Sequence, residues 1–289
     1  MTSGNSRPCA SAACSSRTAG PRRRSRTMDL QLKDKVALVT GGSKGIGRAV
    51  AERLAAEGAD VLLVARGKEV LEKTAREVAK ASGRRVEICA TDLRSAQGCA
   101  AAVGALGQAF GRLDVLINNA GATQSGDFFQ QDDAVWEDGF ALKFYGYVRL
   151  SRALWPLLKA AQGSVVNVIG AASKTPNVNF MIGGAVNAAC ANFTKALAGL
   201  GLRDGVQVNA LHPGPVVTDR LNALLDQRAK AEGLPRADYE KKELAASGMR
   251  AYSKPEEIAA AVAFLASPLS RQVHGADVFC DGGSTKTIL

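Results

Sequence analysis

No apolar run in the sequence approaches the roughly 18 to 20 residues of a membrane helix, and no internal repeat or linker divides it. The six cysteines show no paired spacing of the kind that ligates zinc. The missing apolar run argues against a membrane partner, and the cysteine pattern argues against a metal site and fits a reducing cytoplasm. We therefore expect a cytoplasmic protein. The sequence does have 46% hydrophobic residues and 30 glycines among its 289 residues, a composition that suits one large α/β domain.

Acidic residues are also absent from the first 27 residues, which carry six arginines. These arginines account for six of the ten excess positive charges, so the rest of the chain is mildly basic and we expect no nucleic-acid partner. Residues 1–27 are rich in Ser, Ala, Arg and Pro, which predicts a disordered basic leader before a domain spanning 28–289. The leader has the composition of a transit peptide; alternatively, translation begins at Met28, where "MDLQLKDKVALVTGG" opens like a complete domain.

Short β-branched runs alternate with helical stretches from residue 35 onward. The predicted strands span 35–40, 60–65, 85–90, 114–119, 164–169, 206–211 and 276–280. Segments between them, such as "IGRAVAERLAAEG", carry apolar residues at helical spacing and end in glycine. The pattern predicts a doubly wound, Rossmann-type α/β domain with a seven-stranded parallel sheet and helices on both faces. Ligands of such sheets bind at the carboxyl ends of the strands.

A glycine-rich turn follows the first predicted strand and reads Thr40-Gly41-Gly42-Ser43-Lys44-Gly45-Ile46-Gly47. Glycines at such a turn allow a tight bend and let the backbone approach a pyrophosphate at the helix N-terminus. Their spacing, three intervening residues and then one, resembles the short-chain dehydrogenase/reductase family. Further landmarks of that family follow in order: Asp92-Leu93, Asn118-Asn119-Ala120-Gly121, Pro213-Gly214-Pro215-Val216-Val217-Thr218 and Asp281-Gly282-Gly283. The resemblance covers residues 30 to about 285 and implies an oxidoreductase that transfers hydride.

The resemblance also implies a nicotinamide dinucleotide cofactor and assigns parts of its site. In the family, the position of Asp92 binds the adenine, the Asn119–Gly121 stretch lines the adenosine ribose, and the Pro213–Thr218 turn holds the nicotinamide amide. The residues expected to bind the cofactor are Gly41, Ser43, Lys44, Gly45, Ile46, Gly47, Arg66, Asp92, Leu93, Asn119, Ala120, Gly121, Ile169, Pro213, Gly214, Val216 and Thr218.

The end of the second predicted strand indicates which cofactor is bound. An NAD site places an acid there to hold the ribose 2′-hydroxyl. Here the position is Ala65, followed by Arg66, and Lys44 lies in the glycine turn. Two cations can flank a 2′-phosphate through charge-assisted hydrogen bonds, so we expect NADP(H). Alternatively, both cations are solvated surface charges.

All four residues that handle the proton in the family are replaced. The family has a tyrosine, a lysine four residues later, a serine thirteen residues before the tyrosine, and an asparagine on the preceding long helix. Matching from the flanking residues places these positions at Gly183, Asn187, Gly170 and Lys143. A positioned general acid or base contributes roughly 10² to 10⁴ in rate, and glycine supplies no side-chain proton, which argues against the usual mechanism of carbonyl reduction.

Lysine and asparagine have, however, exchanged positions. We predict that Lys143 and Asn187 form a polar pair beside the nicotinamide, with Lys143 as proton carrier or carbonyl polariser, its pKa lowered by desolvation. Ser173, in the loop after Gly170, is the third catalytic candidate because it could return a hydroxyl to the site. Alternatively, Lys143 pairs with an acid or reaches solvent. We expect packing or core roles for Tyr147 and His212.

The substrate side of the sequence is less informative. Residues 219–253 predict a helical lid, and the two glycines at 170 and 183 are expected to leave space for a bulky substrate. Small residues along "GGAVNAACANFTKALAGLG" favour close packing of long helices in a homo-oligomer, a tetramer or dimer. Two functions fit: an NADP(H)-dependent oxidoreductase acting on a small carbonyl or alcohol with a non-standard proton-transfer group, or a catalytically silent dinucleotide-binding protein acting as sensor or partner subunit.

Overall fold

Seven parallel strands organise the part of the chain that the computed structural model describes, which is Met1 and residues 28–287. The strands are β1 (Val36–Thr40), β2 (Asp60–Ala65), β3 (Val86–Ala90), β4 (Val115–Asn118), β5 (Ser164–Val168), β6 (Gln207–Pro213) and β7 (Asp277–Cys280). They pair in the order β3-β2-β1-β4-β5-β6-β7. Each lies within two residues of its predicted bounds, so the predicted fold class is confirmed. The predicted leader, apart from Met1, lies outside the described residues.

The helices connect successive strands and cover both faces of the sheet. They are α1 (Gly45–Ala56), α2 (Lys68–Ser82), α3 (Ala96–Ala109), α4 (Asp133–Gly139), α5 (Gly146–Ala161), α6 (Met181–Asp204), α7 (Asp219–Ala231), α8 (Arg236–Ser247) and α9 (Pro255–Ala266). Along β1, Ala37 and Val39 pack into the core under α1, α2 and α9, while Val36 and Leu38 pack into the core under α3 and α5. This alternation follows from the two-residue period of side chains along a strand.

The order of the strands reverses at β1, which lies between β2 and β4. Connections from the two halves of the sheet diverge at such a point and leave a crevice outside the carboxyl ends of the strands. The glycine turn that follows β1 lies there, and so does the stretch that follows β4. The fold therefore brings the sequence landmarks to one edge of the sheet.

Two segments next to this edge have unusual local structure. Residues Phe140–Tyr145 form a π-helical turn that joins α4 to α5, and Lys143 lies within it. In the predicted lid region, α7 and α8 pack on each other through a small apolar cluster of Leu225, Ala229 and Tyr239. Among the described residues, no helix is long and apolar enough to span a membrane.

Candidate active site

The glycine turn after β1 is held tightly against the loop after β4. Thr40 supports this contact with its hydroxyl, which accepts hydrogen bonds from the backbone N–H groups of Asn119 (2.8 Å) and Ala120 (2.9 Å). The Asn119 side-chain amide donates to the Thr40 carbonyl at 2.9 Å. The two loops are thus one rigid unit at the carboxyl ends of β1 and β4.

Glycine is required at two positions of this unit. Gly41 has φ of +68°, a left-handed conformation that glycine adopts without strain. A Cβ on Gly47 would lie far inside van der Waals contact with the Gly41 carbonyl and the Asn119 amide. Helix α1 begins at Gly45, so its first N–H groups point into the crevice, where an anion is favoured. This cradle fits a dinucleotide pyrophosphate.

Charged groups flank the far end of the cradle, where the adenosine would lie. Arg66 follows β2 and its guanidinium lies 3.8 Å from the carboxylate of Asp92, with the Arg66 side chain 61% exposed. Lys44 is exposed at the start of α1, and no carboxylate within the described part of the chain forms an ion pair with it. Both cations are therefore open to an anionic ligand.

Lys143 and Asn187 meet at the other end of the crevice. The Lys143 ammonium donates a hydrogen bond to the Asn187 side-chain oxygen at 2.7 Å and another to the Ile169 carbonyl. The aliphatic part of Lys143 packs against Gly121, where a Cβ would lie 3.0 Å from the lysine Cδ. Lys143 is only 8% exposed, and within the described residues no acid forms an ion pair with it. Neither alternative for this lysine, pairing with an acid or reaching solvent, matches this geometry.

The environment of Lys143 disfavours its charge. Burial, with a smaller contribution from the nearby Arg220 guanidinium, lowers the pKa of Lys143 from 10.5 to about 8. The Arg220 guanidinium is fixed by a hydrogen bond to the Thr123 carbonyl at 2.8 Å. A lysine with this pKa exchanges its proton close to neutral pH.

The Phe180 ring lies where a side chain at position 183 would begin. A Cβ on Gly183 would lie inside van der Waals contact with the Phe180 ring. The ring is brought there by a short 3₁₀ turn, Val178–Phe180, which leads directly into α6. The expectation that Gly183 leaves open space beside the nicotinamide is therefore wrong: an aromatic ring three residues earlier takes up that volume.

Gly170 also has a neighbour in place of the missing side chain. Its φ of +137° lies in a region that glycine readily adopts, and a Cβ there would lie 3.0 Å from the Asn187 amide nitrogen. The Tyr147 hydroxyl is buried and donates to the Val168 carbonyl at 2.8 Å. Tyr147 is thus held within the core, as the sequence predicts.

Ser173 lies in a 3₁₀ turn, Ala171–Ser173, that folds back on the end of β5. Its backbone N–H donates to the Gly170 carbonyl at 3.2 Å, and its hydroxyl lies 3.0 Å from His212 Nδ1. His212 is fully buried, and its Nε2 lies 3.0 Å from an Asp277 carboxylate oxygen. The structure therefore joins Ser173 to His212 and Asp277, and no hydrogen bond joins Ser173 to the described Lys143–Asn187 pair.

Sequence reasoning missed three of these features. Phe180 lies in a 3₁₀ turn before α6, and no local pattern predicts that its ring folds back onto Gly183. Arg220 directly follows the lid boundary and carried no distinguishing pattern. The pairing of His212 with Asp277 depends on the register of β6 against β7, in which Ala210 is opposite Asp277, and no local motif specifies that register.

Comparisons with known proteins agree with this fold and crevice. The family model for short chain dehydrogenase matches residues 35–229. The 3-oxoacyl-[acyl-carrier-protein] reductase FabG of Vibrio cholerae is 33% identical over 88% of this chain and 98% of its own length. The crystal structure of L-sorbose reductase from Gluconobacter frateurii, complexed with NADPH and L-sorbose, has a TM-score of 0.87 at 32% identity over 90% of this chain and all of that one.

One further solved structure also has a similar fold. It is the NADPH-bound short chain oxidoreductase from Pseudomonas aeruginosa PAO1, described as containing an atypical catalytic center. Its TM-score to this chain is 0.80 at 28% sequence identity, and the match covers 89% of this chain and all of that one.

Proposed function

Because this chain belongs to the short-chain dehydrogenase family of oxidoreductases, we propose that it is an NADP(H)-dependent oxidoreductase of small carbonyl compounds or alcohols in which Lys143 carries the proton. The observation that supports this role is the hydrogen bonding of the Lys143 amine. An ammonium has three N–H donors, and two of them are used by the Asn187 oxygen and the Ile169 carbonyl.

The third position on the Lys143 nitrogen is the chemically useful one. In the ammonium form it is an N–H that can donate to a carbonyl oxygen of the substrate and then transfer its proton. In the neutral form it is a lone pair that can accept a proton from an alcohol. Both forms keep the same two bonds to Asn187 and Ile169, so Asn187 orients the amine throughout and the nitrogen does not have to move.

The cofactor would supply and accept the hydride at the carbon of the substrate. For its binding we propose the glycine cradle, the Asn119–Gly121 loop and the Pro213–Thr218 turn, with Arg66 and Lys44 on the 2′-phosphate. The bound NADPH of the similar L-sorbose reductase supports this choice of cofactor, as does the absence of an acid after β2 at Ala65. Helices α7 and α8 are proposed as the lid over the substrate.

A turnover assay with a matched variant tests the role of Lys143. NADPH oxidation is measured across a panel of ketones, enones and imines for the natural protein, for Lys143→Met, and for Lys159→Met as an exposed lysine control. We expect Lys143→Met to lower kcat by about 10² to 10⁴, with NADPH affinity unchanged, and Lys159→Met to have no effect. Turnover that survives Lys143→Met unchanged would refute the proton-carrier role.

The same assay separates the enzyme from a catalytically silent dinucleotide-binding protein. Tight NADPH binding with no turnover on any substrate of the panel would favour the silent protein, acting as sensor or partner subunit.

Cofactor preference is tested by titrating the natural protein and the Arg66→Ala variant with NADPH and with NADH and comparing the Kd values. Loss of one charge-assisted hydrogen bond of about 1.5 to 3 kcal/mol predicts a rise in the Kd for NADPH of about 10- to 150-fold, with no change for NADH. Lys68→Ala, which removes an exposed lysine paired with Glu72, serves as the control. An equal loss of affinity for both cofactors would contradict a contact with the 2′-phosphate.

A further inference from the structure

A line of polar side chains runs from the end of β5 to the edge strand β7. The Ser173 hydroxyl lies 3.0 Å from His212 Nδ1, and His212 Nε2 lies 3.0 Å from Asp277 Oδ1. Lys174 completes the line with an ammonium 3.2 Å from the other Asp277 oxygen. The His212 ring has no exposed surface and stacks on Phe279, with ring centroids 4.6 Å apart. Its two nitrogens can therefore exchange protons only with these partners.

The partners of His212 suit both charge states of the ring. Besides Ser173, Nδ1 has the Gly170 carbonyl at 3.1 Å, which can only accept, and the Asp277 carboxylate likewise only accepts. An imidazolium donates to both. A neutral ring that keeps its proton on Nε2 still donates to Asp277, and its Nδ1 then accepts from the Ser173 hydroxyl. His212 can thus gain or lose one proton at Nδ1 and keep a hydrogen bond at each ring nitrogen, although the neutral ring gives up the bond to the Gly170 carbonyl.

Asp277 is held in its ionised form beside this ring. Burial acts to raise the pKa of Asp277, but the hydrogen bond from His212 and the Lys174 ammonium outweigh it, so its pKa lies below the ordinary value. An ionised carboxylate on Nε2 orients the imidazole, as in a Ser-His-Asp triad. The burial of both ring nitrogens argues against acyl transfer, because a triad histidine must also reach the leaving group.

A cavity of about 550 Å³ adjoins the same residues. Ser173, Lys174 and Asp277 line one side of it, and Ala188, Ala191 and Asn192 of α6 line another. Its walls are polar enough and its volume large enough to admit water. At the other end, Ser173 belongs to the turn that begins at Gly170, and Gly170 packs against the Asn187 amide. The turn that carries Ser173 therefore begins next to Asn187, and Ser173 itself lines the cavity.

We propose that Ser173, His212 and Asp277 form a proton-transfer chain that recharges Lys143 from water in this cavity. The proposal rests on the oxidoreductase function above. After Lys143 has given its proton to the substrate oxygen, the His212 Nδ1–H bond breaks and its proton goes to the Ser173 oxygen. The Ser173 proton moves to the bound product hydroxyl, whose own proton returns to the Lys143 nitrogen. Three bonds to hydrogen break and three form, so one proton passes from His212 to Lys143.

The neutral His212 then regains a proton at Nδ1 through the Ser173 hydroxyl from water in the cavity, while Asp277 holds the Nε2–H throughout. Oxidation of an alcohol runs the same transfers in reverse. In this scheme Ser173 touches the reacting groups, whereas His212 and Asp277 act through it.

The first test needs no turnover. The chain contains two histidines, His212 and His274, so ¹⁵N-histidine labelling gives two ring systems in an NMR titration. We expect Ser173→Ala and Asp277→Asn to shift the ¹⁵N resonances of the His212 ring and to leave those of His274 unchanged. Thr175→Val, which removes a hydroxyl bonded to the Ala171 carbonyl in the same turn, is the control and should shift neither. A His212 signal insensitive to Ser173→Ala would overturn the chain.

The second test separates recharging from the first proton transfer. In a single turnover, Lys143 uses its own proton, so His212→Gln, which acts only through Ser173, should leave the rate of hydride transfer within about twofold. Ser173→Ala is measured beside it. In the steady state both should lower kcat by about tenfold or more, and the double variant should be no slower than the single ones, because they interrupt one chain. Asp277→Asn provides the same readout if His212→Gln does not fold, and His274→Gln is the matched histidine control.

The outcomes of these tests distinguish this proposal from the proposed function. A single-turnover rate that falls together with kcat would overturn recharging, since Ser173 would then act in the transfer itself or hold the site together. If Ser173→Ala changes the His212 signals but no substrate is turned over, the oxidoreductase function alone is refuted. The proton-transfer chain would then link His212 to the cavity without serving a reaction. If Ser173→Ala leaves the His212 signals unchanged and turnover is normal, the proton-transfer chain is refuted and the oxidoreductase function stands.

Discussion

Burial of Lys143 predicts a specific dependence of folding stability on pH. In the unfolded chain this lysine has its ordinary pKa of 10.5, and in the folded protein the pKa is about 8. Below about pH 8 both states carry the proton, and the folded state bears the full penalty of the buried ammonium. Between the two values the unfolded state binds more protons, so the free energy of unfolding rises with pH. Above both values the penalty is gone.

The size of the effect follows from the shift. One pKa unit corresponds to about 1.4 kcal/mol, so a shift from 10.5 to about 8 corresponds to about 3 kcal/mol over the whole range. Between about pH 8 and about pH 9.5 the expected gain is about 2 kcal/mol. Other groups titrate in this range, so the useful quantity is the difference between the natural protein and Lys143→Met, in which their contributions cancel.

Urea unfolding at a fixed protein concentration, repeated from about pH 7 to about pH 9.5, measures this difference. We expect it to be flat below about pH 8 and then to increase in favour of the natural protein. The same comparison with Lys159→Met, an exposed lysine, should be flat throughout. A flat difference for Lys143→Met as well would show that the buried amine keeps an ordinary pKa, and the basis for its role as proton carrier would be lost.

Three further predictions concern the same crevice. The steady-state rate of carbonyl reduction should fall as pH rises through about 8, where Lys143 loses its proton, and alcohol oxidation should rise over the same interval; a pH–rate profile without an inflection there would contradict this. Gly183→Tyr should lower the free energy of unfolding by about 1 to 3 kcal/mol through overpacking against Phe180, and the companion change Phe180→Ala should relieve it, as urea unfolding of the single and double variants will show. Gly47→Ala should abolish measurable NADPH binding in a fluorescence titration because its Cβ has no space. Gly104→Ala is the control, because no atom lies within 4 Å of a Cβ at that position. It should leave NADPH binding intact and stabilise α3 by up to about 1 kcal/mol.

Most of the fold could be predicted from the sequence because its signals are local. Buried parallel strands are continuous apolar runs, and several helices end at a glycine in a left-handed cap, as α2 does at Gly83 and α6 at Gly205. The boundaries shifted by one or two residues where strand pairing continued beyond the apolar run, as at the end of β6, which includes Pro213.

The candidate site could be predicted from the sequence only where counting residues along a predicted helix locates a side chain. Counting along two helices was enough to place Lys143 and Asn187 within reach of each other. The neighbours of Gly183 and His212 could not be counted in this way. Which ring fills the volume beside Gly183 depends on a 3₁₀ turn before α6, and the partner of His212 comes from a strand 65 residues away.

The π-helical turn at Phe140–Tyr145 has a consequence for how sequences of this kind are compared. A π-helical turn accommodates one residue more than an α-helical turn between the same end points, and each residue of a helix rotates the next side chain by about 100°. Loss of one of the residues that precede Lys143 in this turn would make the helix regular and swing Lys143 away from Asn187, although every side chain named in the site would still be present in the sequence. The length of the chain within one turn, as much as the identity of residue 143, decides whether an amine faces the crevice.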